Sequence, residues 1–513
     1  MQLATSDHTL PPLAKSRYFD GETNSSAAPA ADLVRSMPKE KNKLPICVDL
    51  DGTLVKTDTF IEQGATFLKT QPENIYKLPL WLLKGKAHIK SMLARQVKIQ
   101  PNTLPYNHEL IEYLLAKKEQ GHPLLLVTGA NGRIAKAIAK HLGIFDGVYA
   151  SDRETNLTGR RKLMLLTHLF GRGRFIYCGN SKTDLTIFDA AAKSIVVDAP
   201  ASVQKKAQRI GNVSKVFGLQ SFSFRTFRKA LRVHQWAKNS LIFLPMLLAN
   251  EFSWSNLGLA LLAFFSFSFV ASAGYVFNDL LDVSSDRTHP EKSKRPFASG
   301  ALPVTYAPFL FVALMAGGLL LSLTLPMAVS LILLLYAAAT MGYTLKFKTI
   351  MVADVLLLAS FYTIRLFSGG VALDIGISAW LLAFSSFFFL SLALIKRSSE
   401  LQVKIDKNEE GTISRGYVTT DHPIIRGLGS AAGLFSILVL CQYVVSDTAA
   451  EVYQHPQYLW TTCVVLTWWI FRYWILANRG HVDYDPVAFA IRDRFSYFII
   501  FVIALSWVLA RGF

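Results

Sequence analysis

The sequence predicts a multidomain protein: a soluble α/β domain on the N-terminal side, then an all-α bundle of nine membrane-crossing helices. Three observations predict it. Short apolar runs alternate with helical stretches over residues 44–220. Long apolar runs separated by short connections follow from residue 232. When those runs are counted as spans, the Lys and Arg residues between them fall on one side. Composition agrees, since 51% hydrophobic content with 35 Phe, 9 Trp and only 18% charged residues is an excess that soluble chains rarely carry. The net charge of +18 belongs to basic loops between apolar spans and requires no nucleic acid. Cys47, Cys178, Cys441 and Cys463 form neither a CxxC pair nor a zinc-like spacing, and read as buried or membrane-facing thiols.

In chain order, residues 1–43 hold no apolar run of signal-peptide length and are expected to be disordered, leaving the N-terminus in the cytoplasm. The α/β domain spans 44–220. Strands are expected at Leu44 to Leu50, His122 to Val127, Phe175 to Cys178 and Ser194 to Val197, with helices such as 107–120 and 134–142 between them. Alternating strands and helices indicate a parallel sheet covered on both faces, with ligands at the strands' polar ends. A helical insert at 60–99, rich in Leu, Lys and Trp, interrupts this rhythm; it reads as a cap over the site or as a docking surface for the membrane domain.

The strand ends carry chemistry. Asp49-Leu50-Asp51-Gly52-Thr53 follows the first strand. Asp49 is placed to attack phosphorus and form an aspartyl phosphate, and Asp51 to protonate the leaving oxygen and then activate water. Thr128, in VTGANG, can hold a phosphate, and Lys162 can neutralise the transferring group. Asp184, in GNSKTD, can join Asp49 and Asp51 in holding Mg²⁺.

The membrane domain, 221–513, offers spans at about 232–250, 257–277, 303–322, 327–344, 351–371, 378–397, 427–446, 459–476 and 495–511. Each is roughly the 17–25 residues a helix needs to cross the hydrocarbon core. The connections 251–256, 323–326, 372–377 and 447–458 contain no Lys or Arg, whereas the opposite side is rich in both. The positive-inside tendency then puts the α/β domain and the basic loops on the cytoplasmic face of the cell's inner membrane. Arg365, inside the fifth span, is costly in lipid and is expected to face protein.

Asp279, Asp282 and Asp286 match one helical face at the end of the second span, where three carboxylates need a cation. Carboxylate oxygens suit Mg²⁺ completed by a substrate phosphate; Asn278 can orient one of them, and Lys292 and Arg295 can neutralise phosphate oxygens. On the same membrane face lie Tyr343, Lys346, Asp354, Arg365, Lys396, Arg397, Glu400, Arg415, Asp485 and Asp493.

The stretch NDLLDVSSDRTHPEKSKRPFASG at 278–300, with HQWAKNSLIFLP at 234–245, resembles the UbiA superfamily of intramembrane prenyltransferases. That resemblance implies a nine-helix bundle that binds a diphosphate through Mg²⁺ and aspartate-rich regions. YTLKFKTIMVADVLLLASFYTIRLFSGG at 343–370, LALIKRSSEL at 392–401, RGY at 415–417 and DPVAFAIRD at 485–493 resemble its decaprenyl-phosphate phosphoribosyltransferase branch. This implies transfer of 5-phosphoribose from phosphoribosyl diphosphate to a polyprenyl phosphate, with the polar residues above lining the pocket. The alternative is an aromatic-acceptor prenyltransferase using a prenyl diphosphate, with a regulatory or separate-substrate soluble domain. Its usual second DxxxD after the fourth helix is reduced here to Asp354. Residues 44–215 resemble the haloacid dehalogenase-like phosphatases, a Rossmann-like fold, which implies the roles of Asp49, Asp51, Thr128, Lys162 and Asp184 given above. Asn180 stands where that family often has an acid. Fusion suggests that this domain removes the ribose 5-phosphate from the lipid product. Membrane lipids are the expected surroundings, and the sequence leaves the oligomeric state and isoprenoid length open.

Overall fold

The computed structural model describes residues 43–218, 223–406, 415–482, 489–490 and 492–512. The expected disordered segment therefore lies, but for Lys43, outside the described residues, as does Asp485. The chain divides into two compact units: Met1–Ala230 with Asp279–Ala307, and Leu231–Asn278 with Pro308–Phe513.

In the first unit six parallel strands, β1 (Ile46–Val48), β2 (Leu124–Asn131), β3 (Gly147–Ser151), β4 (Ile176–Gly179), β5 (Lys193–Val197) and β6 (Val213–Phe217), form one sheet in the order β3-β2-β1-β4-β5-β6. Period-two side chains explain its two cores. Ile46, Val48, Leu124, Leu126, Ile176 and Cys178 pack on one face, and Cys47, Leu125, Val127, Tyr177 and Val196 on the other. Each such large side chain removed from water contributes about 1.5–3 kcal/mol. The order in which strands are added reverses between β1 and β4, so a crevice opens beyond the carboxyl ends of these two parallel neighbours, where open sheets bind ligands.

The insert is helical: Thr59–Thr70, Lys77–Leu83 and Lys86–Gln96. Phe67, Ile89, Leu93 and Val97 give it a small core, against which Leu78 and Trp81 pack.

The second unit is the all-α, membrane-spanning part. Seven described helices are long and apolar enough to cross a membrane: Trp254–Leu281, Met327–Leu345, Ala353–Leu373, Ala379–Asp406, Thr419–Val444, Pro456–Asn478 and Arg494–Arg511. Tyr306–Ser322 is a shorter apolar helix. The expected nine spans are therefore not confirmed among the described residues. The first expected span is a 3-10 segment, Val233–Phe243, followed by the six-residue helix Leu244–Ala249. Pro245 opens that helix, and its ring and missing N–H prevent continuation from the preceding turns. Gly369 lets this segment approach, because a Cβ there would sit 2.1 Å from the Ile242 carbonyl oxygen.

Candidate functional sites

At the sheet's crevice, Asp49 follows β1 and its backbone N–H donates to the Cys178 carbonyl of β4 (3.0 Å), which ties the two strand ends together. Its Oδ2 lies 2.9 Å from Lys162 Nζ, with both side chains largely buried. Lys162, from the helix Arg160–Phe170, also donates to the Tyr177 hydroxyl (3.0 Å), and that hydroxyl donates to Asp184 Oδ1 (3.0 Å). Asp49, Lys162, Tyr177 and Asp184 thus form one continuous polar chain. Asp184 Oδ2 accepts from the backbone N–H groups of Asn180 (3.1 Å) and Ser181 (2.9 Å) and from Ser181 Oγ (2.6 Å). Asn180 packs against Gly52, where φ is +72° and a Cβ would lie 2.1 Å from Asn180 Nδ2, so only glycine fits the turn.

Asp51 accepts from the Thr59 N–H (2.8 Å) at the start of the first insert helix, and Asp58 caps that helix through Phe60 and Ile61 (both 3.0 Å). Burial, then the neighbouring Asp58 charge, pushes Asp51 up to about 7. Asp49 is also raised, chiefly by burial; Lys162 opposes the shift and Asp184 adds to it. Thr128 is buried and its Oγ1 accepts from the Ala130 N–H (3.0 Å).

The sequence reading missed Tyr177, Asp58 and Lys90. Lys90, on the insert helix Lys86–Gln96, donates to the Gly129 carbonyl (2.6 Å) and to Asn156 Oδ1 (3.1 Å). Burial lowers its pKa, and the charges of Asp51, Asp58 and Asp49 act against that shift. These contacts are those of a cap, and the pairs Glu62–Arg287 and Lys69–Asp282 are those of a docking surface, so the insert shows contacts of both kinds. Only folding reveals Lys90, since a lysine in a Lys-rich helix carries no distinguishing signal.

The segment Asp279–Ala307 belongs to the same unit. The expected single helical face for Asp279, Asp282 and Asp286 is corrected. The helix ends at Leu281, Asp282 takes a non-helical turn at φ −95° and ψ 3°, and a five-residue helix, Val283–Arg287, follows. The turn redistributes the acids. Arg295 Nη1 contacts both Asp279 Oδ1 (3.2 Å) and Asp286 Oδ2 (2.6 Å), while Asp282 pairs with Lys69 (2.7 Å). Burial raises Asp286, and Arg295 holds it back. Arg287 forks onto the buried Glu62 of the insert (3.0 and 2.5 Å) and donates to the Ala298 carbonyl (3.1 Å); Thr57 donates to the same carboxylate. Lys292 is exposed and Asn278 half-buried.

In the second unit, Asp354 and Arg397 are fully buried and paired, Nε to Oδ2 at 2.5 Å. Tyr417 donates to Asp354 Oδ1 (2.7 Å) and accepts from the Val352 N–H (2.9 Å). Val352, at φ +66°, holds a backbone conformation costly for a β-branched residue, as the turn into the helix Ala353–Leu373. Arg397 also bonds Glu400, Arg415 donates to the Tyr343 hydroxyl (2.7 Å), and Arg415 Nε lies 3.8 Å from Glu400. Among the described residues Arg397 Nη2 has no hydrogen-bond partner. Lys396 is half-buried beside this group, whereas Lys346 is exposed at a helix C-terminus.

Arg365 is buried inside the bundle. It donates to Asn239 Oδ1 (2.7 Å), the Tyr336 hydroxyl (3.0 Å) and the Phe361 carbonyl, and lies against the Phe267, Tyr336 and Tyr362 rings. Its donors are thereby taken up by neutral protein groups. Asp493 forks with Arg472 (2.6 and 3.1 Å) at the start of the last helix, and that pairing lowers its pKa.

Among the described residues no group of three or more His, Cys, Asp or Glu side chains stands close enough together to hold a metal ion. The donors nonetheless suit a hard cation. Asp49 is raised by burial, with the Asp184 charge adding to it, and Asp279 and Asp286 converge on one guanidinium nitrogen.

Residues 240–510 match the UbiA prenyltransferase family, and residues 46–188 match the haloacid dehalogenase-like hydrolases. The uncharacterized protein y4nM of Sinorhizobium fredii is 32% identical over 472 residues, 91% of each chain. Nodulation protein NoeC of Azorhizobium caulinodans is 34% identical over 288 residues, 56% of this chain and 93% of that protein. Decaprenyl-phosphate phosphoribosyltransferase of Mycolicibacterium smegmatis is 29% identical over 293 residues, 55% of this chain and 89% of that one. The last two leave too little outside the match for a second domain of this kind, whereas the first is matched along nearly its whole length.

Proposed function

The chain belongs to the UbiA prenyltransferase family and carries a haloacid dehalogenase-like hydrolase domain ahead of it, and from that premise we propose that it moves 5-phosphoribose from phosphoribosyl diphosphate to a polyprenyl phosphate and then removes the 5-phosphate. Four curated relatives of the transferase part are decaprenyl-phosphate phosphoribosyltransferases. The observation that carries the reading is Arg397. A buried guanidinium with one unpartnered nitrogen, held by Asp354 and Glu400 beside Arg415, is built to receive phosphate oxygens. Its partner Asp354 is all this chain has where the aromatic-acceptor branch usually shows a second DxxxD.

In the transfer step the bond from ribose C1 to the diphosphate breaks, its electron pair leaves with the diphosphate, and an acceptor phosphate oxygen bonds to C1. The acceptor is already an anion, so the protein needs no strong base; its residues orient and neutralise. Asp279, Asp282 and Asp286 would hold Mg²⁺, with Asn278, Lys292 and Arg295 on the diphosphate. Within the second unit, Tyr343, Lys346, Asp354, Lys396, Arg397, Glu400, Arg415, Asp485 and Asp493 would line a substrate pocket. Arg365 supports this pocket through Asn239 and Tyr336. Bound Mg²⁺ would supply charge neutralisation of the departing diphosphate and of the phosphate under attack. In the hydrolase site Asp49 attacks phosphorus. Asp51, protonated up to about pH 7, gives its proton to the leaving oxygen and then accepts one from water. Lys162 and Thr128 hold the phosphoryl group, and Asp184 completes the oxygen set. Both reactions are assigned to the cytoplasmic face of the inner membrane, where the basic connections gather and a polyanionic donor arrives.

The test is incubation of the purified protein with labelled phosphoribosyl diphosphate and polyprenyl phosphate, with mass analysis of the lipid and diphosphate counted apart from phosphate. Asp279→Ala should abolish transfer and leave hydrolysis of supplied phosphoribosyl lipid. Asp49→Asn should leave transfer and accumulate the 5-phosphate form. Transfer from a prenyl diphosphate to a ring acceptor, with no use of phosphoribosyl diphosphate, overturns the reading.

A further inference from the structure

The insert carries a surface that neither reaction uses. Ile75, Tyr76, Leu80, Leu82 and Leu83 are each more than half exposed, Leu83 at 85%. Among the described residues from Lys43 to Gly218, Met164 is the only other large apolar side chain exposed to that degree. The helix Lys77–Leu83 turns Leu78 and Trp81 inward, Trp81 against Phe67 with ring centroids 5.4 Å apart. Its outward side chains Leu80, Leu82 and Leu83 are apolar too. A helix apolar all round ordinarily lies in a core, and five large side chains concentrated in one short segment mark an interaction site.

We infer that this tip of the insert enters the headgroup and upper acyl region of an anionic bilayer. Three observations select lipid as the occupant. Lys77, Lys84 and Lys86 border the apolar residues, and no acidic residue occurs from Ile75 to Val97, which complements anionic headgroups. The chain is a multi-pass membrane protein, so a bilayer is always within tether length. The helix Thr59–Thr70, which leads directly to the tip, is fastened by Glu62–Arg287 and Lys69–Asp282 to the segment Asp279–Ala307. That segment continues the spanning helix Trp254–Leu281 and runs into the apolar helix Tyr306–Ser322, so chain connectivity brings it to the membrane surface. A cap seated in the interface would let the hydrolase site receive a phosphorylated headgroup whose isoprenoid tail stays in lipid.

The experiment places a nitroxide at Leu83→Cys, and at exposed Lys140→Cys as a water-facing reference, in the full-length protein in nanodiscs of mixed anionic and zwitterionic phospholipid. The parent chain, labelled in parallel, gives the background from its own cysteines. The expected result is that position 83 is relaxed more by oxygen than by an aqueous nickel chelate, with the order reversed at position 140. The preference at 83 should weaken in purely zwitterionic discs. Chelate-dominated relaxation at 83, as at 140, overturns the inference. So does an immobilised label shielded from both, which would mean a protein surface covers the tip. The measurement needs no substrate or turnover, so its failure and the failure of the transferase and hydrolase assignments are told apart.

Discussion

Two groups of aspartates meet the same physical demand by different routes. Asp49, Asp51 and Asp184 are gathered by a parallel sheet, whose ladder places the ends of β1 and β4 side by side although 135 residues separate Asp49 from Asp184. Asp279, Asp282 and Asp286 are neighbours in sequence, and a helix break decides which of them meet. In the sheet site burial raises Asp49 and Asp51. The loop site gives each acid a basic partner, Arg295 or Lys69. Chemistry that needs a protonated acid suits the first, and capture of a polyanion, with exchange of one ionic partner for another, suits the second.

The comparison can be broken in order of effect. Asp49→Asn should lower phosphate release from phosphoribosyl lipid by about 10³-fold or more, since an amide cannot attack phosphorus, while transfer continues. An equal loss of both activities would show that the two sites are not separable. Next, Arg287→Ala leaves the buried Glu62 carboxylate without its guanidinium, a change that costs about 3–5 kcal/mol. Tryptic cleavage at Lys292 and Lys294 should then accelerate by about 100-fold or more, since about 1.4 kcal/mol is tenfold in the opened population. Lys69→Ala, at a partly exposed pair, should change the same rate by less than about 1 kcal/mol's worth.

The pH dependence sharpens the contrast further. Asp51 must be protonated to act as acid, so hydrolysis should fall as pH rises through about 7. Asp58→Asn removes a negative neighbour, so the descending limb of the pH–rate profile should move to lower pH. The same shift acts on stability. The folded pKa of Asp51 lies above the unfolded value, so in metal-free protein its contribution is complete below about pH 4 and lost as pH rises through about 7. Asp51→Asn should therefore gain on the parent over that window, read from the difference in unfolding midpoint.

How much of this was legible follows the physics of burial. The four strands expected from sequence, β1, β2, β4 and β5, are the interior strands, whose two covered faces demand continuous apolar runs. Both missed strands, β3 and β6, are the sheet's edges, half-exposed and interrupted by polar residues such as Ser214 and Lys215. The apolar runs of the membrane part were equally plain, except where Pro245 breaks the first of them.

The sequence by itself determined the two-part architecture, the aspartates at the strand ends and the acidic and basic stretch after the second apolar run, because periodicity, hydropathy and short motifs are local properties. Only the tertiary structure decided that Tyr177 links Lys162 to Asp184, that Lys90 reaches the hydrolase site, that Arg397 is shared by Asp354 and Glu400, and that Glu62 fastens Arg287. Each of these joins residues distant in the chain, and a buried charge has no sequence signature beyond the partner that folding brings to it.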